Sequence, residues 1–253
     1  MSSPSSPSRG RPARLDRTRT LQTALDLLNQ SGLDALTMRR LADAMGVQAG
    51  ALYRYFATKQ ELLTAMAERM MEGAAEAATG ASAGYTWQQQ LTALARAARN
   101  ALLTHRDGAR VFAGTHATGA SVLGFADAFV GVLREAGFPD DDAARTLYSV
   151  INFTVGHTLE EQAALQLESG RTEGADTGGG RPEGADTGGG RPEGAVPEGA
   201  GALRDAVTTG TYPHLAATLP ALTSTDFTAL FEFGLDLIVE GLRARRARAA
   251  ATG

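Results

Sequence analysis

Residues 37–56 read TMRRLADAMGVQAGALYRYF, and their spacing decides the fold. Thr37 can cap a helix through its hydroxyl. Met38, Leu41, Ala42 and Met45 then recur at i, i+3, i+4 and i+7, which is one apolar helix face. Gly46 supplies the permissive backbone that stops this helix, and Val47 anchors the turn. Gln48 to Phe56 predict a second short helix with Leu52 and Phe56 facing inward. A helix, a tight turn and a second helix make a helix-turn-helix, whose second helix enters the DNA major groove. The outward residues suit that task. Gln48, Tyr53, Arg54 and Tyr55 offer donors and aromatic reach, while Ala49, Gly50 and Ala51 let the backbone approach closely. Two short amphipathic helices around a glycine also make a plain helical hairpin, so the flanks must decide.

Upstream, Leu21, Leu25 and Leu28 share a face and Gly32 stops it, predicting a helix over residues 16–30. Downstream, Thr58-Lys59-Gln60-Glu61 reads as a capping box opening a helix with Leu62, Leu63 and Met66, expected to run to about Ala78. The run from Leu15 to Met66 resembles the DNA-binding domain of the tetracycline repressor (TetR) family, with ALYRYFATKQELL its most diagnostic part. The resemblance implies that Thr37, Arg39, Gln48, Ala49, Ala51, Tyr53, Arg54, Tyr55 and Lys59 meet DNA. Lys59 matches a phosphate-contacting lysine. Arg39 matches a position that reaches a base edge, and arginine suits bidentate contact with guanine. A surface salt bridge is the alternative for Arg39.

Charge agrees with this division. Residues 1–60 carry nine basic and four acidic groups, and the remainder carries 15 basic and 24 acidic. A basic head on an acidic body fits a phosphate-seeking first domain. Residues 1–14 are rich in Ser, Pro, Gly and Arg and are expected to form a disordered basic arm. Its arginines, with Arg17 and Arg19 beyond it, either track phosphates or belong to a solvated tail. Cysteine is absent, the N-terminus has no apolar leader, and no stretch of about 18 apolar residues occurs, so a cytoplasmic protein is expected.

Beyond the head, Trp87 begins a helix with Leu91, Leu94, Ala95, Ala98 and Leu102 on one face, ended by HRDG at 105–108. His-Arg-Asp also occurs in kinase catalytic loops, but Phe112 stands where the magnesium-binding Asn would be and no DFG follows. Residues 120–136 predict a helix with Leu123, Ala126, Phe129, Val130 and Leu133 inward. A long helix follows to about Leu167, led by Asp140, Asp141 and Asp142, which suit a helix N-terminus. EGADTGGGRP then occurs twice, within a stretch of residues 170–200 too Gly-rich to pack and expected to be a disordered linker. A short helix is expected over 201–210, an irregular stretch from Tyr212 and Pro213, and a last helix from Asp226 to about Arg246. In that helix Gly234 and Gly241 could admit a close partner helix.

WQQQLTALARAARNALLTHRDGARVFAGT, GVLREAGF, INFTVGHTLEEQ and FEFGLDLIVEGL resemble the regulatory domain of the tetracycline-repressor-like subgroup. That implies a ligand pocket bordered by Ala75, Leu94, Ala98, Phe112, Thr115, His116, Phe129, Asn152 and Glu160, and dimerisation through the helices at 141–167 and 226–246. Simple core packing is the alternative for most of these, Leu94 and Ala98 above all. Phe112 stands where the subgroup has its magnesium-binding histidine, Ala75 where it has another histidine, and Leu94 where it has an amide. No metal or cofactor is expected. No catalytic set is found: the four histidines lack metal spacing, and adjacent Glu160 and Glu161 point to different helix faces.

The sequence therefore predicts an all-α chain: a three-helix DNA-binding domain over 15–60, and a helical ligand-binding and dimerisation domain over 61–253. The expected function is repression, as a homodimer on a palindromic operator, released by a small and largely hydrophobic molecule such as an antibiotic or natural product. The alternatives are a transcriptional activator and a structural DNA binder without a ligand.

Overall fold

The computed structural model describes residues 16–79, 84–176, 198–208 and 212–252, and those residues are helical or in turns, with no strand. The chain divides into two units, residues 1–143 and 144–253. The basic arm at 1–14 lies outside the described residues.

The first unit begins with α1 (Arg17–Ala35), whose N-terminus is capped by Asp16 accepting the Arg19 N–H at 2.7 Å. Gly32 breaks it, with φ at 77°. α2 (Met38–Met45) starts where Thr37 Oγ accepts the Arg40 N–H at 3.1 Å and stops at Gly46 in the left-handed region. α3 is regular only over Ala49–Leu52 and then tightens into turns, shorter than the expected helix to Phe56. Gly50 is a poor helix former, and Tyr53 and Tyr55 lose rotamer freedom in a helix. The Tyr55 N–H instead bonds the Leu52 carbonyl three residues back, at 2.9 Å.

Leu28, Leu41, Leu52, Phe56, Leu62 and Met66 meet in one fully buried cluster that locks the turn against α4 (Lys59–Met70). Each such side chain contributes roughly 1.5–3 kcal/mol by leaving water. Thr58 caps α4 through the Glu61 N–H at 3.0 Å, but Glu61 returns its carboxylate to the Ala57 N–H rather than to Thr58.

The expected continuous helix to Ala78 is broken. α4 ends at Met70 with Met71 as its C-cap, Gly73 adopts φ 77°, and α5 (Ala74–Thr79) starts afresh. Ala75 therefore sits on a separate short helix. α6 (Trp87–Leu103) carries a full capping box from Thr86 and Gln89 and buries Leu91, Leu94, Ala95, Ala98 and Leu102, as its periodicity predicts. α7 (Gly108–Ala113) and α8 (Ala120–Glu135) follow. α8 buries Phe125, Phe129, Val132 and Leu133, whereas Leu123 is 54% exposed. The helix is apolar on most sides, so spacing alone could not choose which turn faces inward.

α9 (Asp140–Asp176) starts at the end of the first unit and runs through the second, with Thr146, Val150, Thr154, Thr158 and Gln162 buried on one face. It passes Leu167, its expected end, and takes in 170–176 of the expected linker. Elongating a formed helix adds a hydrogen bond for each residue fixed, which favours such extension. α10 (Glu198–Thr208) likewise begins inside that stretch, while 177–197, with most of the repeat, lie outside the described residues.

α11 (Pro213–Leu222) replaces the expected irregular segment. Pro213 occupies the first turn, where its missing N–H loses no bond. α12 (Phe227–Thr252) is led by Asp226, whose carboxylate accepts the Ala229 N–H at 2.9 Å.

Within the second unit α9 and α12 meet through stacked rings of Phe153 and Phe231, centroids 5.4 Å apart, and through His157 Nε2 at 2.7 Å from the Phe227 carbonyl. A Cβ on Gly234 would come within 2.5 Å of the Phe153 ring. The close approach expected at Gly234 is thus made inside the chain, and Gly241 opens onto free space. Phe231, Leu235, Val239 and Leu242 are buried, whereas Tyr148 on α9 and Phe233 and Leu237 on α12 remain exposed.

Candidate DNA interface and effector site

The head presents its candidate DNA-contacting side chains on a rigid base. Leu52 and Phe56 are fully buried, and between and beside them Gln48, Tyr53 and Arg54 are exposed. Arg39 projects to solvent from the first turn of α2, next to the Thr37 cap. Ala49 and Ala51 are half-buried and small, so the backbone of α3 is accessible from outside. Tyr55 and Lys59 are half-buried, the latter at the first position of α4. Arg17 turns toward the end of the motif: its guanidinium lies 4.7 Å from the Phe56 ring centroid and donates to the Tyr55 carbonyl at 3.3 Å. It braces the recognition segment, a role that sequence spacing did not disclose.

HRDG forms the joint between head and core. Asp107 adopts φ 57° and is almost fully buried, and its carboxylate accepts the Leu33 N–H at 2.7 Å just after the Gly32 break. The Arg106 N–H donates to Asn29 at 3.1 Å, and Gln60 of α4 donates to the Gly114 carbonyl at 2.8 Å. Arg110 grips Asp34 with two bonds, 2.9 and 2.7 Å, and this guanidinium holds the Asp34 carboxyl below its usual range. That pair is open to solvent, which screens it. Gly32 is required twice, for its positive φ and because a Cβ there would stand 3.0 Å from Asp107.

His105 lies in the same joint, 3.4 Å from the Asn29 amide, and burial pushes its pKa below the ordinary histidine value against the weaker pull of Asp26. The unfolded chain then binds a proton at higher pH than the folded one. Stability should be fully present above about pH 6.5 and fall as pH drops through that value toward the lowered folded pKa. Urea midpoints at pH 7 and pH 5.5 should show this loss, and His105→Gln should flatten it; an unchanged slope would remove His105 as the cause.

The candidate effector residues divide by position. α5, α6 and α8 pack on one another within the first unit. They carry half-buried Ala75 and buried Leu94, Ala98 and Phe129. Phe112 on α7 is half-buried, packed against the apolar cluster of the head. Thr115 donates its hydroxyl to the Phe112 carbonyl at 2.9 Å, and His116 is exposed. In the second unit Asn152 and Glu160 are both exposed on α9. The buried polar groups of that helix are others, Thr154 and Thr158, and the Thr154 hydroxyl has no hydrogen-bond partner. They stand four residues apart and so share one helix face, which by itself does not reveal which polar group is left unsatisfied. Among the described residues no group of three or more His, Cys, Asp or Glu side chains converges as metal ligands would, and no helix is long and apolar enough to cross a membrane.

Comparison with known proteins matches both parts of the chain. Residues 21–66 match the model for bacterial regulatory proteins of the tetR family, and residues 81–186 and 184–246 match the tetracyclin repressor-like C-terminal domain. The class A tetracycline repressor from transposon 1721 of Escherichia coli is 38% identical over 235 residues, 92% of this chain and 93% of the relative. The crystal structure of a possible TetR family transcriptional regulator from Streptomyces coelicolor A3(2) is 64% identical and superposes with TM-score 0.73, covering 90% of this chain and 99% of that one. A TetR variant from Acinetobacter baumannii AYE in complex with minocycline is 31% identical with TM-score 0.61, over 92% of this chain and 99% of that one. With the helix-turn-helix head and the helical regulatory core both matched, the chain belongs to the TetR family of transcriptional repressors, DNA-binding regulators that are not enzymes.

Proposed function

We propose that this repressor binds a palindromic operator as a homodimer and leaves it when a small, largely hydrophobic molecule binds without a metal ion. The observation that carries the DNA half is the exposed set Arg39, Gln48, Tyr53 and Arg54 standing on fully buried Leu52 and Phe56. Two copies of that set engage successive major grooves, so half-site centres lie about one helical turn apart or slightly more. The exposed apolar side chains Tyr148, Phe233 and Leu237 supply the surface for a second copy.

For the effector, the supporting residues are Leu94, Ala98 and Phe129, buried on α6 and α8, and half-buried Phe112, apolar side chains with no lone pair for a cation. In the second unit Asn152 and Glu160 are exposed polar groups. Apolar lining with a few polar anchors is the usual composition of a small-molecule site. Release requires only that the effector bind the non-operator conformation more tightly than the operator-bound one.

Fluorescence anisotropy with a selected duplex and a random duplex, at several salt concentrations, tests the DNA half. Arg39→Ala and Tyr53→Ala should weaken binding to the selected duplex by roughly 1–3 kcal/mol and leave random binding nearly unchanged. Lys59→Ala should weaken both alike and lower the salt slope by about one. A Lys59→Ala chain with altered sequence preference and an intact salt slope would overturn these assignments.

A further inference from the structure

α8 begins without a cap of its own. Its N-cap residue is Gly119, with no side chain to accept the free N–H groups of the first turn. The acceptor comes from α4. Glu68 Oε1 accepts the Gly119 N–H at 2.6 Å, and Oε2 accepts those of Ser121 at 3.1 Å and Val122 at 3.4 Å. A Cβ on Gly119 would stand 2.5 Å from that carboxylate, so the missing side chain is what admits Glu68. The negative charge also lies at the positive end of the α8 dipole.

Beside this contact is an open cleft of about 360 Å³, lined by Arg17, Leu21, Ala65, Arg69 and Ser121 as well as Glu68. The carboxylate therefore has room to swing away from α8. Glu68 stands on the helix whose first turn carries Lys59, and α8 carries Phe129.

We propose that Glu68 is a releasable clip: while it caps α8, the DNA head on α4 and the effector-facing helix α8 move as one, and effector-driven displacement of α8 reaches the head through this carboxylate. The clip rests on the proposed function, since it transmits between the two sites named there. Linkage makes it reciprocal, so DNA on the head must tighten the cap.

Hydrogen exchange of the full chain, with and without a selected duplex, reads this directly on the peptide spanning 115–125. In the wild-type chain, duplex binding should slow exchange of the α8 first turn by about fivefold or more. Glu68→Ala should speed exchange there in the free protein. Gly119 has extended φ and ψ, −79° and −179°, which an L-residue adopts freely once Glu68 is gone. Adding Gly119→Asp to Glu68→Ala should therefore restore a local cap and wild-type exchange in the free protein, yet leave that turn indifferent to duplex.

A merely structural Glu68 would instead be rescued in both respects, and a double variant with the wild-type response to duplex overturns the clip. Duplex binding followed by anisotropy on the same samples separates the failures. A wild-type chain that binds duplex while its α8 exchange is unchanged removes the clip alone, and one that binds no duplex removes the proposed function together with it.

Discussion

Asp107→Ala should lower the unfolding free energy by about 2–4 kcal/mol, and Gly108→Ala should be at least as damaging. Asp107 is 7% exposed and accepts the Leu33 N–H at 2.7 Å, so its loss leaves that half-buried donor without its acceptor. It also sits at φ 57°, a region that aspartate tolerates and alanine does not. Asp107→Asn keeps the shape and an acceptor oxygen, so about 1 kcal/mol is the expected loss. At Gly108 the difficulty is steric: a Cβ would collide with the Leu102 carbonyl oxygen, a backbone atom that cannot rotate away.

Urea unfolding with the midpoint and the slope fitted separately measures both. A fall in midpoint at constant slope is the expected outcome. Asp107→Ala within 0.5 kcal/mol of wild type, in the range of an ordinary surface change, would show that the joint does not hold head to core.

The second large effect concerns the inducer. Tetracycline with magnesium should bind this chain weakly or not at all, although the class A tetracycline repressor is a relative at 38% identity. Magnesium takes oxygen ligands and keeps water, and the resemblance implies one added imidazole in the subgroup site. At that position stands Phe112, a half-buried ring packed on the apolar cluster of the head. The resemblance sets Ala75 and Leu94 against a histidine and an amide of the subgroup. Each lost buried hydrogen bond weakens a polar ligand by roughly 1–3 kcal/mol, so two or three of them reduce affinity by about 10²-fold or more. Calorimetry with tetracycline, with magnesium and with EDTA, checks this. Tight binding that vanishes on chelation would contradict it.

Most of the fold was legible because the head and α6 are strongly periodic and locally capped. Thr37, Gly46 and Thr58 act through neighbours three or four residues away, and such signals survive in a linear reading. What was missed depends on distant partners or on helices without a clear polar face. Leu123 and Phe125 compete on a helix that is apolar nearly all round, and only packing chose Phe125. Pro213 reads as a breaker until it falls in the first turn of a helix. Glu68 looks like any exposed helical glutamate, because the N–H groups it caps are 51 to 54 residues away. In the linear sequence HRDG reads only as the end of a helix. Its aspartate carries a structural hydrogen bond to a residue 74 positions earlier.

Effector-controlled release from DNA without a metal ion can be read from anisotropy. The protein is loaded onto a labelled selected duplex in EDTA, and a panel of apolar polycyclic compounds is titrated while anisotropy is followed. At least one compound should release the duplex at a stoichiometry of about one per subunit, and Phe129→Ala should weaken that release without weakening DNA binding in its absence. Release only by tetracycline, and only when magnesium replaces EDTA, would contradict the claim.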